Sequence, residues 1–264
     1  MDAAQLLHSL IPPHLYLPEG GRNCSLAPSR GFHRTLSLSP PTSSASARLP
    51  QETGRCILQA LLFLPPQIFA DPYELQQRHT DGRLGATRMW GDVELEAPVS
   101  AVDGRGTALL LDLDRDPDRE EGERTGAEVE VPLHLRYPRP VGHEQAVESG
   151  GQERFALPCP VVFWACDSDD AGRKAPFDGL PPPFTSPYSE GTAFHFLRTQ
   201  ASDPQAAAGA GLPSIEVLVP TGDSSHLPTV ELGTTLAVLF AFLYIAYCAW
   251  AVPSCPRALR QKAA

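Results

Sequence analysis

Carboxylates are the commonest groups in this chain able to do chemistry, and two acidic clusters have spacings that suit a cation. In the run DLDRDPDREEGE, Asp112, Asp114, Asp116 and Glu123 occupy positions 1, 3, 5 and 12 of a calcium-binding loop. Position 6, where glycine makes the sharp turn, is Pro117, and both flanks have the pattern of strands instead of helices. The run therefore reads as a solvated acidic loop. Asp167-Ser168-Asp169-Asp170 has the Asp-x-Asp spacing with which paired carboxylates hold a divalent ion on a nucleotide diphosphate. No nucleotide-binding βαβ pattern accompanies it, and it reads as a solvated turn. The eight histidines show no His-Glu-x-x-His pair, and the spacing of Cys159 and Cys166 is neither a redox CxxC nor a zinc knuckle. A Gly-x-Ser-x-Gly elbow and a phosphate loop are also missing. The expectation is a chain with no catalytic, metal or cofactor site of its own.

Cysteine has a different use here. Cys24, Cys56, Cys159 and Cys166 are an even set in the acidic part of the chain, which allows three disulfide pairings in an oxidising compartment. Asn23, the only asparagine, opens Asn23-Cys24-Ser25, the pattern of a glycosylation acceptor, although a disulfide at Cys24 would hinder its modification. Cys248 and Cys255 come later, and Cys255 is open to palmitoylation or to remaining a free thiol.

The chain has 264 residues and a net charge of −10, which argues against a nucleic-acid binder. All 31 acidic residues and 18 of the 21 basic ones lie at or before Glu231; after it come only Arg257, Arg260 and Lys262. Between these regions, residues 232–252 carry no charge, and as a helix they rise ~31 Å, the thickness of a hydrocarbon core. Tyr244, Tyr247 and Trp250 fall where an aromatic belt would sit. A basic tail over 253–264 then stays cytoplasmic and the acidic part faces a lumen, as in a type I protein. Arg260 and Lys262 are similar to a dibasic retrieval signal of the endoplasmic reticulum, or are an ordinary positive-inside tail. Residues 1–30 do not read as a signal peptide: Asp2 replaces a basic start and Pro12-Pro13 interrupts the apolar run. Translocation would then use the C-terminal anchor or another route, or a leader lies upstream.

Twenty-eight prolines and 21 glycines, close to one residue in five, disfavour a large helical bundle. Short period-2 segments recur instead. The clearest is VEVPLHLRY, where Val129, Val131, Leu133, Leu135 and Tyr137 alternate with Glu130, Pro132, His134 and Arg136. Pro132 lacks an N–H, which places this strand at an edge or at a bulge. Further strands are expected over 35–39, 56–64, 108–113, 161–166, 194–197 and 215–219, with a helical turn at 76–79. The runs at 56–64 and 161–166 are continuously apolar and suit interior strands. Stretches 40–50, 112–124, 168–189 and 200–213 are polar or rich in Pro, Gly and Ala, and read as disordered loops. The expected fold is an antiparallel β-sandwich-like lumenal domain over 31–222 with long disordered loops, followed by one transmembrane helix.

Several segments in this order resemble the PIG-X family. They are Gly31-Phe32-His33-Arg34, Arg55-Cys56-Ile57-Leu58, Ala70-Asp71-Pro72-Tyr73-Glu74-Leu75, Val93-Glu94-Leu95-Glu96-Ala97-Pro98, Leu133-His134-Leu135-Arg136-Tyr137-Pro138-Arg139-Pro140 and Val219-Pro220-Thr221-Gly222. The resemblance covers about 31–252. It implies a non-catalytic, endoplasmic reticulum subunit of GPI mannosyltransferase I, which stabilises the polytopic PIG-M catalytic subunit that adds the first mannose of the anchor. The docking candidates are Asp71, Pro72, Tyr73, Glu74 and Leu75 with Glu94, Glu96 and Pro98, where Tyr73 and Leu75 would offer apolar contact. On the opposing reading Asp71-Pro72 merely starts a turn and Tyr73 fills the core. Alternative functions are an endoplasmic reticulum chaperone with broader clients, a cell-surface receptor or adhesion ectodomain, and an independent glycosyltransferase.

Overall fold

Strand β3, Cys56–Leu64, shows how the sequence pattern becomes architecture. Leu58, Ala60, Leu62 and Leu64 enter one hydrophobic core, while Leu61 and Phe63 enter a second on the opposite face. A strand buried on both faces has no reason to alternate, and so it is written as a continuous apolar run. A computed structural model describes residues 22–39, 55–113, 128–167, 184–189, 191–201 and 213–251.

The remaining strands are β1 Arg22–Ala27, β2 His33–Ser39, β4 Ile68–Phe69, β5 Thr87–Gly91, β6 Thr107–Asp112, β7 Val129–Leu135, β8 Gln152–Pro158, β9 Val161–Asp167, β10 Thr192–Leu197, β11 Thr199–Ala201 and β12 Ser214–Pro220. One sheet runs β11-β1-β2-β7-β4, a second runs β10-β9-β3-β6-β5, and β12 and β8 form a two-stranded ribbon. Every pairing is antiparallel except β1 with β11. The larger core draws Leu36 and Leu38 of β2, Val131 and Leu133 of β7, Leu109 and Leu111 of β6, and Ile215 and Val217 of β12 together with the β3 set. The second core lies on the other face of the β3 sheet, where Phe163 meets the rings of Phe194 and Phe196 and segment 184–189 adds Phe184 and Tyr188.

Pro132 behaves as its chemistry requires. It pairs with Thr35 of β2, whereas β4 reaches only Leu135 and His134 on the opposite edge of β7. No ladder partner therefore asks for the missing N–H. Gly106 opens β6 at φ +75°, and a Cβ there would stand 2.1 Å from the Leu64 carbonyl oxygen, so the β3–β6 corner requires glycine.

Several elements differ from the sequence expectations. β1, β4, β5, β8 and β11 were not expected, because they are short or half-exposed and lack clear alternation. β1 also extends the sheet upstream of residue 31. β7 ends at Leu135, which leaves Tyr137 outside the strand and exposed. The turn expected at 76–79 is part of a nine-residue helix, α1, Pro72–Thr80. A second short helix, α2, covers His143–Glu148. The expected disordered loops at 40–50 and, for most of their length, at 112–124, 168–189 and 200–213 lie outside the described residues.

The chain divides into two units, 1–139 with 152–221, and 140–151 with 222–264. The second contains α3, Leu227–Ala251, whose 25 residues include none that is buried and which is long and apolar enough to cross a membrane. It begins five residues before the uncharged run and takes in Glu231. Within this unit Val141 donates to the Gly222 carbonyl at 2.9 Å and Ser224 donates to the Val141 carbonyl at 2.9 Å. His143 Nδ1 lies 2.7 Å from Asp223 Oδ2, and Asp223 caps the 3-10 turn leading into α3. The hydrogen bond from His143 and those from Ser225 hold the Asp223 carboxyl well below the usual range.

Candidate docking surface

The dipeptide Asp71-Pro72 starts a helix. The Asp71 carboxylate accepts from the Tyr73 N–H at 2.8 Å, and Pro72 takes the first helical position, where its missing N–H costs nothing. This fixes the direction of the next three side chains. Leu75 is fully buried in the larger core, so it offers no contact to a partner, contrary to the expectation for it. Tyr73 is 78% exposed, so the opposing reading that it fills the core is also corrected. Residues 73 and 75, two apart, fall on nearly opposite sides of a helix, and it is Leu75 that faces the core.

Glu74 lies between these two and reaches across to β7. Its Oε2 is 2.9 Å from His134 Nε2, and its Oε1 accepts from Arg78 Nη2 at 3.0 Å one turn along α1. Burial alone would raise the Glu74 carboxyl, but the hydrogen bonds from His134 and Arg78 outweigh it and the net shift is downward. A depressed carboxyl contributes stability above its unfolded value, and that contribution disappears as pH falls through the folded value. Glu74→Gln is therefore expected to destabilise the chain by about 1 kcal/mol at neutral pH. In denaturation curves taken at successive pH values, the gap to the native chain should close as the pH falls below the ordinary glutamate range.

His134 and Arg136 are the residues the sequence reading passed over as site residues, although their place on the non-core side of the β7 alternation could have singled them out. His134 is paired with both His33 and Phe69 across the sheet, its ring 4.8 Å from the first and stacked at 5.3 Å on the second. The Arg136 guanidinium lies 4.4 Å above the Phe69 ring. It is only 3% exposed and has no carboxylate partner among the described residues; its Nη1 donates to the carbonyl of Glu94 and, at 3.0 Å, to that of Ala97. Burial lowers its pKa, and the nearby Asp92 and Glu94 charges partly offset this. The Val99 N–H adds a bond of 3.2 Å to the Tyr137 carbonyl. Glu94, Glu96 and Pro98 are exposed along this segment. Phe32 packs on Tyr137 with ring centroids 4.7 Å apart, and its carbonyl accepts from the Leu135 N–H at 2.8 Å.

Four segments far apart in sequence thus meet around the end of β7: 31–34, 70–75, 93–98 and 133–139. The neighbouring Arg34 is buried and donates to the carbonyls of Pro28 and, at 3.1 Å, Leu218, which ties β2 to the strand preceding Thr221.

The cysteines form Cys24–Cys159 and Cys56–Cys166. The second joins residues directly opposite in β3 and β9, and the first joins β1 to the connection between β8 and β9. Asn23 is half-buried in β1, between Ser39 of β2 and Gln200 of β11. Of the two acidic clusters, only Asp112, Leu113 and Asp167 are described, and Asp112 accepts from Gln59 Nε2 at 2.7 Å. Arg260, Lys262 and Cys255 lie outside the described residues.

A mostly antiparallel β module with two disulfides, followed by α3, the one helix among the described residues long and apolar enough to cross a bilayer, defines a disulfide-bonded β protein with a candidate C-terminal membrane span. The sequence model of the PIG-X / PBN1 family matches residues 29–250, and the chain belongs to that family. Among its relatives, protein PBN1 of Gibberella zeae is 34% identical over 218 residues, covering 81% of this chain and 40% of that protein. Protein pbn1 of Emericella nidulans is 29% identical over 233 residues, covering 83% and 41%, and that of Schizosaccharomyces pombe is 25% identical over 243 residues, covering 90% and 62%. The chain therefore spans about 40% of the length of the first two relatives.

Proposed function

We propose that this chain is the non-catalytic subunit that stabilises a PIG-M-like polytopic mannosyltransferase, which adds the first mannose to the GPI-anchor precursor. The observation that carries the reading is family membership over 29–250. The convergence of the separate motif segments on one part of the module supports it, since a surface built from residues 31 to 139 serves recognition better than any one segment. The chain resides in the endoplasmic reticulum membrane, with the β module lumenal and the tail cytoplasmic. Two disulfides suit an oxidising lumen, and a tail with three cations and no anions suits the cytosol.

The mechanism is mass action. A subunit that binds only the folded catalytic chain stabilises it by about 2.7 kcal/mol when present at a hundredfold excess over Kd. On this reading the polytopic partner encloses the lipid-linked sugar donor and supplies the chemistry, and this chain, with one candidate span among its described residues, supplies binding energy. Deleting the chain should lower the partner's abundance and stall precursor synthesis before the first mannose, and re-expression should restore both. Normal partner levels and normal mannosylation in the deleted cells would overturn the reading.

A further inference from the structure

Outside α3, four large apolar side chains are exposed among the described residues: Tyr73, Val93, Tyr137 and Val147. Three of the four are chain neighbours of residues in the His134–Arg136 scaffold: Tyr73 of Glu74, Val93 of Glu94 and Tyr137 of Arg136 itself. Tyr73 follows the capped start of α1, whose neighbours Glu74 and Leu75 are pinned to β7 and the core. Val93 begins the segment that Arg136 holds by two carbonyls, and the Tyr137 ring rests on Phe32. They are 78%, 41% and 67% exposed, yet the backbone at or beside each is tied by a hydrogen bond. Aromatic side chains on a fixed backbone lose little freedom on binding, which is the character of interface hot spots.

The charge around them leans negative. Glu94 and Glu96 are exposed and Asp92 is half-buried, whereas Arg136 is buried and Arg78 is committed to Glu74; Arg139 is the exposed cation at the end of 133–139. We propose that Tyr73, Val93 and Tyr137, rimmed by Glu94 and Glu96, are the contact surface for a lumenal segment of the polytopic partner carrying an apolar anchor flanked by lysine or arginine. The inference rests on the stabilising role proposed above. Asp71, Pro72, Glu74 and Leu75 then act beneath the surface as its scaffold.

The test uses cells lacking the chain that re-express it at full length. Truncating a hot spot weakens binding about tenfold or more, so Tyr73→Ala with Tyr137→Ala should cut co-purified partner by at least about tenfold. Glu94→Lys with Glu96→Lys should also lower it, and Val147→Ala should not. A photo-crosslinking residue at position 73 or 137 should yield adducts with lumenal partner peptides of the stated composition. This second readout holds even where a double variant folds poorly. Undiminished co-purification with the tyrosine variants would overturn the surface. So would adducts to lipid, to a second copy of this chain or to an acidic partner segment. If deleting the whole chain leaves the partner abundant, the stabilising role fails and the surface with it. If deletion depletes the partner but the tyrosine variants do not, only the surface fails.

Discussion

Replacing Cys24 and Cys159 together by alanine should cost the folded chain about 2–5 kcal/mol, read as a lower midpoint in chemical denaturation of the detergent-solubilised protein. The bridge joins residues 135 apart in sequence, and although the interleaved Cys56–Cys166 bond shortens the loop it closes, that closure still removes freedom from the unfolded chain. Its position adds a second reason. Cys56–Cys166 joins strands already paired over six residue positions, so the ladder holds them when the bond is lost. Cys24–Cys159 joins β1 to the β8–β9 connection, which no ladder links to it. Cys24 is fully buried and Cys159 nearly so, and the pair of alanines also leaves a small void in the larger core. Loss of the Cys24 bridge should therefore exceed loss of the Cys56 bridge, with β1 amides the first to exchange.

The legible parts of this fold were those where one physical requirement acted alone. The continuous apolar runs of β3 and β9 announced burial on both faces, and the uncharged stretch after Glu231 announced a helix that could cross a bilayer. β7 was legible because one face meets the core and the other does not. The strands that escaped notice depend on partners the chain cannot display locally: β4 is two residues long and exists because β7 offers an edge, and β11 exists because β1 does. The site follows the same rule. The pentapeptide from Asp71 to Leu75 drew attention by its composition, but which side chain faces outward is decided by a helical period imposed on it. Hence Tyr73 is exposed and Leu75 buried. His134 and Arg136 looked like solvent-facing members of an alternating strand, and only the arrival of Phe69, Glu74 and the 93–99 segment on that face makes them structural.

Arg136→Leu should be the most damaging single change to the contact surface. Leucine fills part of the space over Phe69 but leaves the carbonyls of Glu94 and Ala97 without their donor. Hydrogen bonds to a charged group contribute about 1.5–3 kcal/mol each and a cation over a ring about 0.5–2 kcal/mol, so with incomplete additivity a loss of about 3–5 kcal/mol is expected. The effect should be local as well as global. Amide exchange should accelerate over 93–99, where Val99 bonds to Tyr137, while α1 keeps its protection because Asp71, Glu74 and Leu75 hold it independently. Arg136→Lys should restore only part of the loss, since an ammonium keeps the charge but has no planar face to lie on Phe69. Partner co-purification should fall with Arg136→Leu even at temperatures where the module remains folded, because Val93, Glu94 and Glu96 lose their placement while Tyr73 retains its own. Unchanged exchange over 93–99 would mean that this segment is held by its other contacts, and Arg136 would then matter to the core alone.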